Sequence, residues 1–226
     1  MNIYTIVLHY KIKLRDESGI DMIIPYIDTE MTGLLLFAMR NRCINIARLI
    51  IDMDNYNVNY RDSSGNTLQM LAIYNLCEPI ALYLLQKHCD IYVTAMNIYN
   101  ETAMILACCY DLSELAIYYI QNYTDMLEHH DIDGNTALIW AVGNEMADVA
   151  TLILQSKYAN INKVNGKGDT ALIWACRNRN SIHARLIIEY AHEQANKYVI
   201  NNDGEDARYY AAMFSMRDIV KLIDEN

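Results

Sequence analysis

The near-repetition of one octapeptide constrains this chain more than any other feature. GNTALIWA begins at Gly134, and GDTALIWA begins 34 residues later at Gly168. When the alanine that ends each copy is taken as an anchor, further alanines follow at intervals of 34 to 36 residues in both directions. The six anchors are Ala38, Ala72, Ala107, Ala141, Ala175 and Ala211. A fixed period of this length predicts stacked units that cannot bury their apolar faces alone.

A second element repeats with the same period. Another alanine stands nine residues after each of the first five anchors, at Ala47, Ala81, Ala116, Ala150 and Ala184, and Val220 takes this place after the sixth. Apolar residues lie one before and two and three after nearly every one of these positions. This spacing forms one stripe on a helix. Each unit is therefore predicted to be two short antiparallel helices, the first with the small anchor and the second with the aliphatic stripe.

The residues before each first helix predict a tight turn followed by a helix cap. Threonines suited to capping stand at Thr67, Thr102, Thr136 and Thr170. Two residues before these threonines, and at the matching place in the last unit, the chain has Gly65, Asn100, Gly134, Gly168 and Gly204. Glycine, and asparagine among the other residues, best tolerate a positive φ. Asp62 and Asp131, three residues before their glycines, suit the start of the turn.

These units resemble the ankyrin repeat family, whose repeat has about 33 residues and a T-P-L-H-x-A core. Thr136–Ala141 and Thr170–Ala175 match that core at threonine, leucine and alanine. The resemblance implies an all-α fold, an ankyrin-repeat solenoid of helix-turn-helix units with short β-hairpin-like turns. It implies a single domain over 1–226: a capping half repeat at 1–27, repeats at 28–61, 62–96, 97–130, 131–164 and 165–200, and a capping repeat at 201–226.

The amino-terminal segment leaves two interpretations open. IYTIVLHYKIKL is predicted to be the second helix of the capping half repeat, followed by a hairpin with Asp28 at its turn-starting place. Its strict alternation of apolar residues is also typical of a strand.

The chain departs from the family pattern at three places. The proline is absent, and residues such as Ile139 and Ile173 replace the histidine that ties neighbouring units, so the array is expected to depend more on apolar packing. The glycine between the helices is replaced by Arg42, Leu76, Asp111, Glu145, Arg179 and Ser215. The preceding asparagines are expected to take over the helix-end turn. They are Asn41, Asn75, Asn144 and Asn178.

Composition limits where the chain works and what it binds. The formal net charge of −10 disfavours binding to nucleic acid phosphates. Scattered cysteines, no signal-peptide pattern and no apolar run of membrane-spanning length indicate a cytoplasmic chain without a membrane partner, expected to be a monomer. In its TALIWA-type core and its richness in Asn, Ile and Tyr, the chain resembles the ankyrin proteins of large DNA viruses, especially those that infect amoebae. A viral origin would place the chain in the cytoplasm of the host cell. A protozoan or bacterial effector also fits this composition.

No constellation of residues indicates catalysis, a metal or a cofactor. The segment 166–170 lacks the spacing and the preceding strand of a phosphate-binding loop. His88-Cys89 and His129-His130 lack the further ligands of a zinc site. Other residues that invite a chemical role are interpreted structurally: Cys108 and Cys109 as core fillers, His183 as a partly buried histidine, and Trp140 and Trp174 as an apolar ladder between units.

Function is therefore predicted to lie in the surface. Ankyrin arrays bind proteins on the concave side, at the hairpin tips and the exposed ends of the first helices. The candidates for partner contact at these places are Arg40, Tyr74, Tyr99, Tyr110, Arg177 and Phe214. The leading hypothesis is a non-catalytic module that binds or sequesters a host protein. Alternatives are an adaptor that recruits substrates to a ubiquitin ligase or another multi-protein assembly, and an enzyme built on a repeat scaffold.

Overall fold

Short helices provide nearly all the regular structure of this chain. The computed structural model describes residues 3–23, 26–27, 31–87, 93–191 and 195–225. Within these ranges the α-helices are α1 (Ile3–Leu14), α2 (Thr32–Arg40), α3 (Ile44–Asp52), α4 (Leu68–Tyr74), α5 (Glu78–Lys87), α6 (Ala103–Cys109), α7 (Ser113–Asn122), α8 (Ala137–Gly143), α9 (Ala147–Gln155), α10 (Ala171–Arg177), α11 (Ser181–Ala191), α12 (Ala207–Met213) and α13 (Arg217–Glu225). A 3₁₀ helix spans Thr124–Glu128. The predicted all-α class is confirmed.

Threonine side chains begin the first helices, as the sequence predicts. The hydroxyl of Thr67 accepts a hydrogen bond from the backbone N–H of Met70 at 3.3 Å. Thr102, Thr136 and Thr170 accept the same bond at 3.2 to 3.3 Å. In the last repeat Asp206 takes this role and accepts from Tyr209 at 2.7 Å. Each cap satisfies one of the backbone donors that a helix start leaves without a partner.

The ends of the first helices differ from the sequence prediction. The left-handed conformation is adopted by the six residues that replace the family's glycine, with φ between 54° and 61°, and not by the preceding asparagines. Asn41, Asn75 and Asn178 keep negative φ and donate a side-chain hydrogen bond to the carbonyl four residues earlier. Each of these carbonyls also accepts the backbone N–H of the same asparagine, so the side-chain amide adds a second hydrogen bond at the helix end, while the next residue carries the backbone strain.

The turns before the first helices have the predicted geometry. Gly65, Gly134, Gly168 and Gly204 have φ near +80°, and Asn100 has φ +57°. At Gly168 a side chain is excluded by lack of space as well as by the positive φ, because a Cβ there would lie 2.8 Å from the backbone nitrogen of Asn202 in the next turn. Asp131 starts its turn by accepting the N–H groups of Asp133 and Asn135 at 3.0 and 2.8 Å.

Contacts divide the chain into two compact units, which we call unit 1 (Met1–Ile98) and unit 2 (Tyr99–Asn226). In unit 1, α2 packs on α3 and α4, α5 packs on α3 and α4, and α1 packs on α2. In unit 2 the first helices α6, α8, α10 and α12 pack in series, and the second helices α7, α9, α11 and α13 do the same. All six anchor alanines are fully buried, as are the five alanines of the second helices. Small side chains therefore lie where neighbouring helices meet.

The amino-terminal segment is a helix, which decides between its two interpretations. Thr5, Leu8 and Ile12 are buried at helical spacing, whereas Tyr10 and Leu14 face solvent. The apparent alternation arises because apolar residues occupy the exposed face too. Asp28, predicted to start the following turn, lies outside the described residues.

Neighbouring repeats within each unit are also tied by polar side chains, so packing between repeats is less purely apolar than the missing histidine suggests. In unit 1 the amide of Asn97 donates to the side-chain oxygen of Asn66 at 2.9 Å. In unit 2 Asn165 donates to Asn135 at 3.0 Å, and Asn201 donates to Asp169 at 2.8 Å. These groups are buried, so each bond offsets a desolvation cost as well as linking two turns.

Candidate partner-binding surface

Unit 1 presents two of the predicted contact residues at equivalent positions on neighbouring helices. Arg40 ends α2 and is exposed, and Tyr74 ends α4 and is half-buried. The Tyr74 hydroxyl accepts a hydrogen bond from the amide of Asn97 at 3.1 Å. Arg40 is therefore available to a partner, whereas Tyr74 presents a ring whose hydroxyl is already held by the following turn.

The hairpins of unit 2 carry exposed apolar side chains. Tyr99, a predicted contact residue, is 47% exposed, and its carbonyl accepts the N–H of Ile132 at 2.8 Å. Ile132 is 65% exposed at the tip of the next hairpin. Further along, Val164 and Ile200 are 44% and 64% exposed just before the next two turns. We call Tyr99, Ile132, Val164 and Ile200 the hairpin row.

The helix ends of unit 2 hold the other three predicted contact residues in different situations. Tyr110 follows α6 and is 37% exposed. Phe214 follows α12 and is half-buried beneath the guanidinium of Arg179, which lies 4.3 Å from the ring centroid. Arg177 ends α10, and its Nη1 donates to Oδ2 of fully buried Asp169 at 2.9 Å. The primary interaction of Arg177 is therefore the internal ion pair with Asp169, not contact with a partner protein.

Electrostatics support the internal role of Arg177. Burial acts to lower the pKa of Arg177, but the charge of Asp169 overrides this effect and the pKa is raised. The guanidinium also lies 5.7 Å from the ring centroid of Tyr210. Because Asp169 is withdrawn from water, removal of Arg177 would leave a buried carboxylate without its ion pair.

Sequence reasoning missed three members of the hairpin row. Ile132, Val164 and Ile200 are not among the residues predicted from the sequence. A signal was present, because the places directly before and after the first turn residue hold Met96, Ile98, Ile132, Val164 and Ile200 where a solvated turn would carry polar groups. The prediction favoured arginine and aromatic residues, which are enriched among the energetically important residues of interfaces.

The segment 166–170 and the cysteines Cys108 and Cys109 have roles in the fold. The segment 166–170 is a turn, in which Gly166 N–H binds the Asp133 carbonyl and the side chain of Asn165 accepts the N–H groups of Lys167 and Asp169. Burial raises the pKa of the Cys108 thiol to about 12 and that of Cys109 to about 11, so both thiols are protonated at neutral pH.

The surroundings of the histidines bear on metal binding. No group of three or more His, Cys, Asp or Glu among the described residues is arranged to hold a metal ion. His129 and His130 each bond a nearby backbone carbonyl through Nδ1. His88 and Cys89 lie outside the described residues.

The two tryptophans differ in their contacts, and only Trp140 makes a hydrogen bond that an apolar ladder does not require. Both are half-buried. Nε1 of Trp140 donates to Oδ2 of Asp131 at 2.8 Å. Nε1 of Trp174 is buried against Gly143 and has no hydrogen-bond partner among the described residues.

Sequence comparison identifies the repeats. A model described as ankyrin repeats (3 copies) matches residues 157–226, and a single ankyrin repeat model matches residues 133–166. Residues 133–226 thus match ankyrin repeats in sequence. No enzyme family was found in this comparison. No curated protein sequence matches the chain. The ankyrin fold is typically a non-catalytic scaffold that mediates protein–protein interaction.

Solved structures extend the fold assignment to most of the chain. The ankyrin repeat protein EF0377 is 26% identical with a TM-score of 0.73, over 85% of this chain and 97% of that one. An ankyrin repeat domain from Acinetobacter baumannii AYE is 24% identical with a TM-score of 0.70, over 84% and 95% of the two chains. A chain from the complex of the predatory endopeptidase Bd0816 of Bdellovibrio bacteriovorus with immunity protein Bd3460 is 24% identical, with a TM-score of 0.69 over 85% and 97%. The predicted ankyrin-repeat solenoid fold is confirmed.

Helix length bears on membrane insertion. Within the described ranges, no helix combines the length and the hydropathy needed to cross a bilayer.

Proposed function

We propose that this chain is a non-catalytic module that binds a protein partner through its hairpins and the adjoining ends of its first helices. The observation that carries the proposal is the hairpin row of unit 2, in which apolar side chains stay exposed on successive turns. Burial of such side chains against a partner lowers the free energy of the complex, because apolar surface is removed from water. One of the similar structures is itself a complex of two proteins, which agrees with this use of the fold.

The chemistry of the hairpin row suits a partner with an apolar contact surface. Asp133 and Lys167, both exposed, stand beside the row at the turn tips and supply one charge of each sign. Tyr110 adds an aromatic side chain at the end of α6. Aromatic and aliphatic anchors surrounded by polar groups are the usual composition of an energetically important interface centre.

The experiment compares protein capture by matched variants from the native host cell. The first variant carries Tyr99→Ser and Ile132→Ser. The control carries Tyr158→Ser and Tyr190→Ser, which remove two equally exposed side chains outside the row. We expect the first variant to lose the captured protein and the control to retain it, with thermal unfolding unchanged in both.

A second set of variants tests the helix-end candidates Arg40, Tyr74, Tyr110 and Phe214, each replaced by a small neutral residue. Arg177 is left in place, because its loss would destabilise Asp169 rather than report on binding. Retention of the same captured protein by both sets would overturn the proposed surface.

The finer aspects of the function are proposals of the same kind. We infer from the resemblance to ankyrin proteins of large DNA viruses that the chain comes from such a virus and acts in the host cytoplasm. We also propose that it is a monomer and that it sequesters a host protein. Light scattering would test the monomer, for which a mass of 26.1 kDa is expected. Appearance of ligase components among the captured proteins would instead favour the adaptor role.

A further inference from the structure

A groove of about 520 Å³ lies in unit 2 between the last two repeats. It is formed by the turn between α10 and α11, the first residues of α11, the turn between α12 and α13, and the first residues of α13. Three arginines line it: Arg179, Arg185 and Arg217. The only carboxylate among its described lining residues is Asp218, so the groove is cationic in a chain whose formal net charge is −10.

Arginines elsewhere in unit 2 are closely neutralised. Arg177 lies 2.9 Å from the buried carboxylate of Asp169, and Arg208 lies 2.6 Å from Asp224. These two and the three groove residues are all the arginines of unit 2. The groove therefore collects every arginine of this unit that lacks a close ion pair.

The three groove arginines have weak partners or none. Arg185 lies 3.4 Å from Glu189 and 3.7 Å from Asp218, and both carboxylates are well exposed. Arg217 forms no ion pair with any described residue. Arg179 forms none within the same ranges, and its guanidinium lies over the ring of Phe214. A guanidinium that lies over a ring still has N–H groups available for an anion.

Backbone geometry adds to this positive potential. α11, of 11 residues, begins at Ser181, and α13, of nine residues, begins at Arg217, so two helix amino termini adjoin the groove. The partial positive charge of each terminus has the same sign as the arginines. The hydroxyl groups of Ser181 and Ser215 also line the groove.

The positive charge is local to this end of unit 2. Arg179 and Ser215 occupy the place held by Asp111 and Glu145 in the two preceding repeats. Arg179 thus replaces the acidic residues of the two preceding repeats in the same register, so an anion is repelled at those two turns and attracted at the groove.

We propose that this groove binds the phosphate group of a phosphorylated serine or threonine in a protein partner. Three guanidiniums line the groove with one carboxylate, Asp218, and Glu189 lies beside Arg185, so an excess of positive charge faces a phosphate that carries close to two negative charges at neutral pH. The arginine fork fits phosphate oxygens in a bidentate manner. Ile182 and Met216 provide apolar walls for the peptide beside the phosphate. The site uses none of the hairpin row and shares only Phe214 with the helix-end candidates, so variants of Arg179 and Arg217 test it separately from the proposed function above.

The experiment is an NMR titration of the full-length ¹⁵N-labelled chain with N-acetyl-O-phosphoserine methylamide. N-acetyl-serine methylamide, N-acetyl-aspartate methylamide and inorganic phosphate are titrated separately at constant ionic strength. We expect saturable shifts of the amide signals of residues 181–183 and 217–219 with the phosphoserine probe, and weaker binding of all three other probes.

Matched variants assign the binding to the groove. Arg179→Ala with Arg217→Ala is expected to weaken binding about tenfold or more, because charge-assisted bonds to phosphate are lost. Lys221→Ala on α13, outside the groove, is expected to change it less than about twofold by long-range charge alone. Arg217→Gln changes one exposed residue and replaces the double variant as the test if that variant does not fold. It is also expected to weaken binding of the phosphoserine probe.

Several results would overturn the proposal. These are an absence of saturable shifts at the groove, equal affinity for the aspartate probe, tighter binding of inorganic phosphate than of the phosphoserine probe, or wild-type affinity in the Arg217→Gln variant.

Discussion

At the scale of single residues, the chain places several polar groups where most repeats have apolar ones. His183 on α11 stands where Val149 and Ile219 stand in the neighbouring repeats. It is almost fully buried, its Nδ1 lies 3.0 Å from Oδ1 of Asn180, and its Nε2 has no hydrogen-bond partner among the described residues. A buried ring nitrogen without a partner lowers the stability of the folded state.

We predict that His183→Leu increases the free energy of unfolding by about 1 kcal/mol at pH 7.5 and reduces its pH dependence. Burial lowers the pKa of His183 below 6.5, and the charge of Glu145 only partly opposes this. The unfolded chain therefore binds a proton that the folded chain resists, so wild-type stability is fully present above pH 6.5 and declines as the pH falls below it.

Urea unfolding between pH 7.5 and 5.5, followed by tryptophan fluorescence, measures both effects. His183→Gln is the matched variant, because it removes the titration without supplying an apolar side chain. It should flatten the pH dependence without the gain at pH 7.5. An unchanged pH dependence in both variants would contradict the assignment to His183.

At the scale of elements, the ends of the first helices combine two devices in successive residues. At the end of α4, Asn75 has φ −88° and its amide donates to the Leu71 carbonyl at 2.6 Å. Leu76 then adopts φ +54°. A left-handed backbone costs a non-glycine residue roughly 1 kcal/mol, so this helix end stores strain that a glycine would release.

We predict that Leu76→Gly stabilises unit 1 by about 0.5–1 kcal/mol, whereas Asn75→Gly destabilises it by about 1 kcal/mol. The first change removes the strain at an exposed position. The second change removes a helix-end hydrogen bond where φ is already negative. Thermal unfolding of both variants, monitored by circular dichroism, should shift the midpoint in opposite directions; shifts of the same sign would show that the strain at Leu76 is negligible.

Much of the local structure follows from the sequence because it depends on neighbouring residues. The cap formed by Thr136 and the turn at Gly134 involve only residues that are close in sequence, and both were predicted correctly. The pair of Arg177 with Asp169 joins a helix end to the preceding turn, where the equivalent residues Gly143 and Asn135 carry no charge. The groove joins Arg179 to Arg217, 38 residues away. Such contacts depend on side-chain directions in two repeats, which the repeat register does not determine.

At the scale of the whole molecule, the single domain predicted over residues 1–226 stays a prediction. The sequence register argues for it, because the interval from Ala72 in unit 1 to Ala107 in unit 2 is 35 residues and the other intervals are 34 to 36. In a repeat array, stability is the sum of the repeats and of their nearest-neighbour interfaces. An unbroken register therefore predicts that the chain unfolds as one cooperative array.

The chain contains its own probes for this question. Both tryptophans, Trp140 and Trp174, lie in unit 2, so fluorescence reports on unit 2, whereas far-ultraviolet circular dichroism reports on the helices of both units. For a single cooperative domain, the two signals give coincident urea transitions. We expect coincidence in the wild type and also in Leu76→Gly, whose change in unit 1 should then move the fluorescence midpoint. If Leu76→Gly shifts the dichroism transition and leaves the fluorescence transition where it was, the two units unfold independently and the single-domain prediction is wrong.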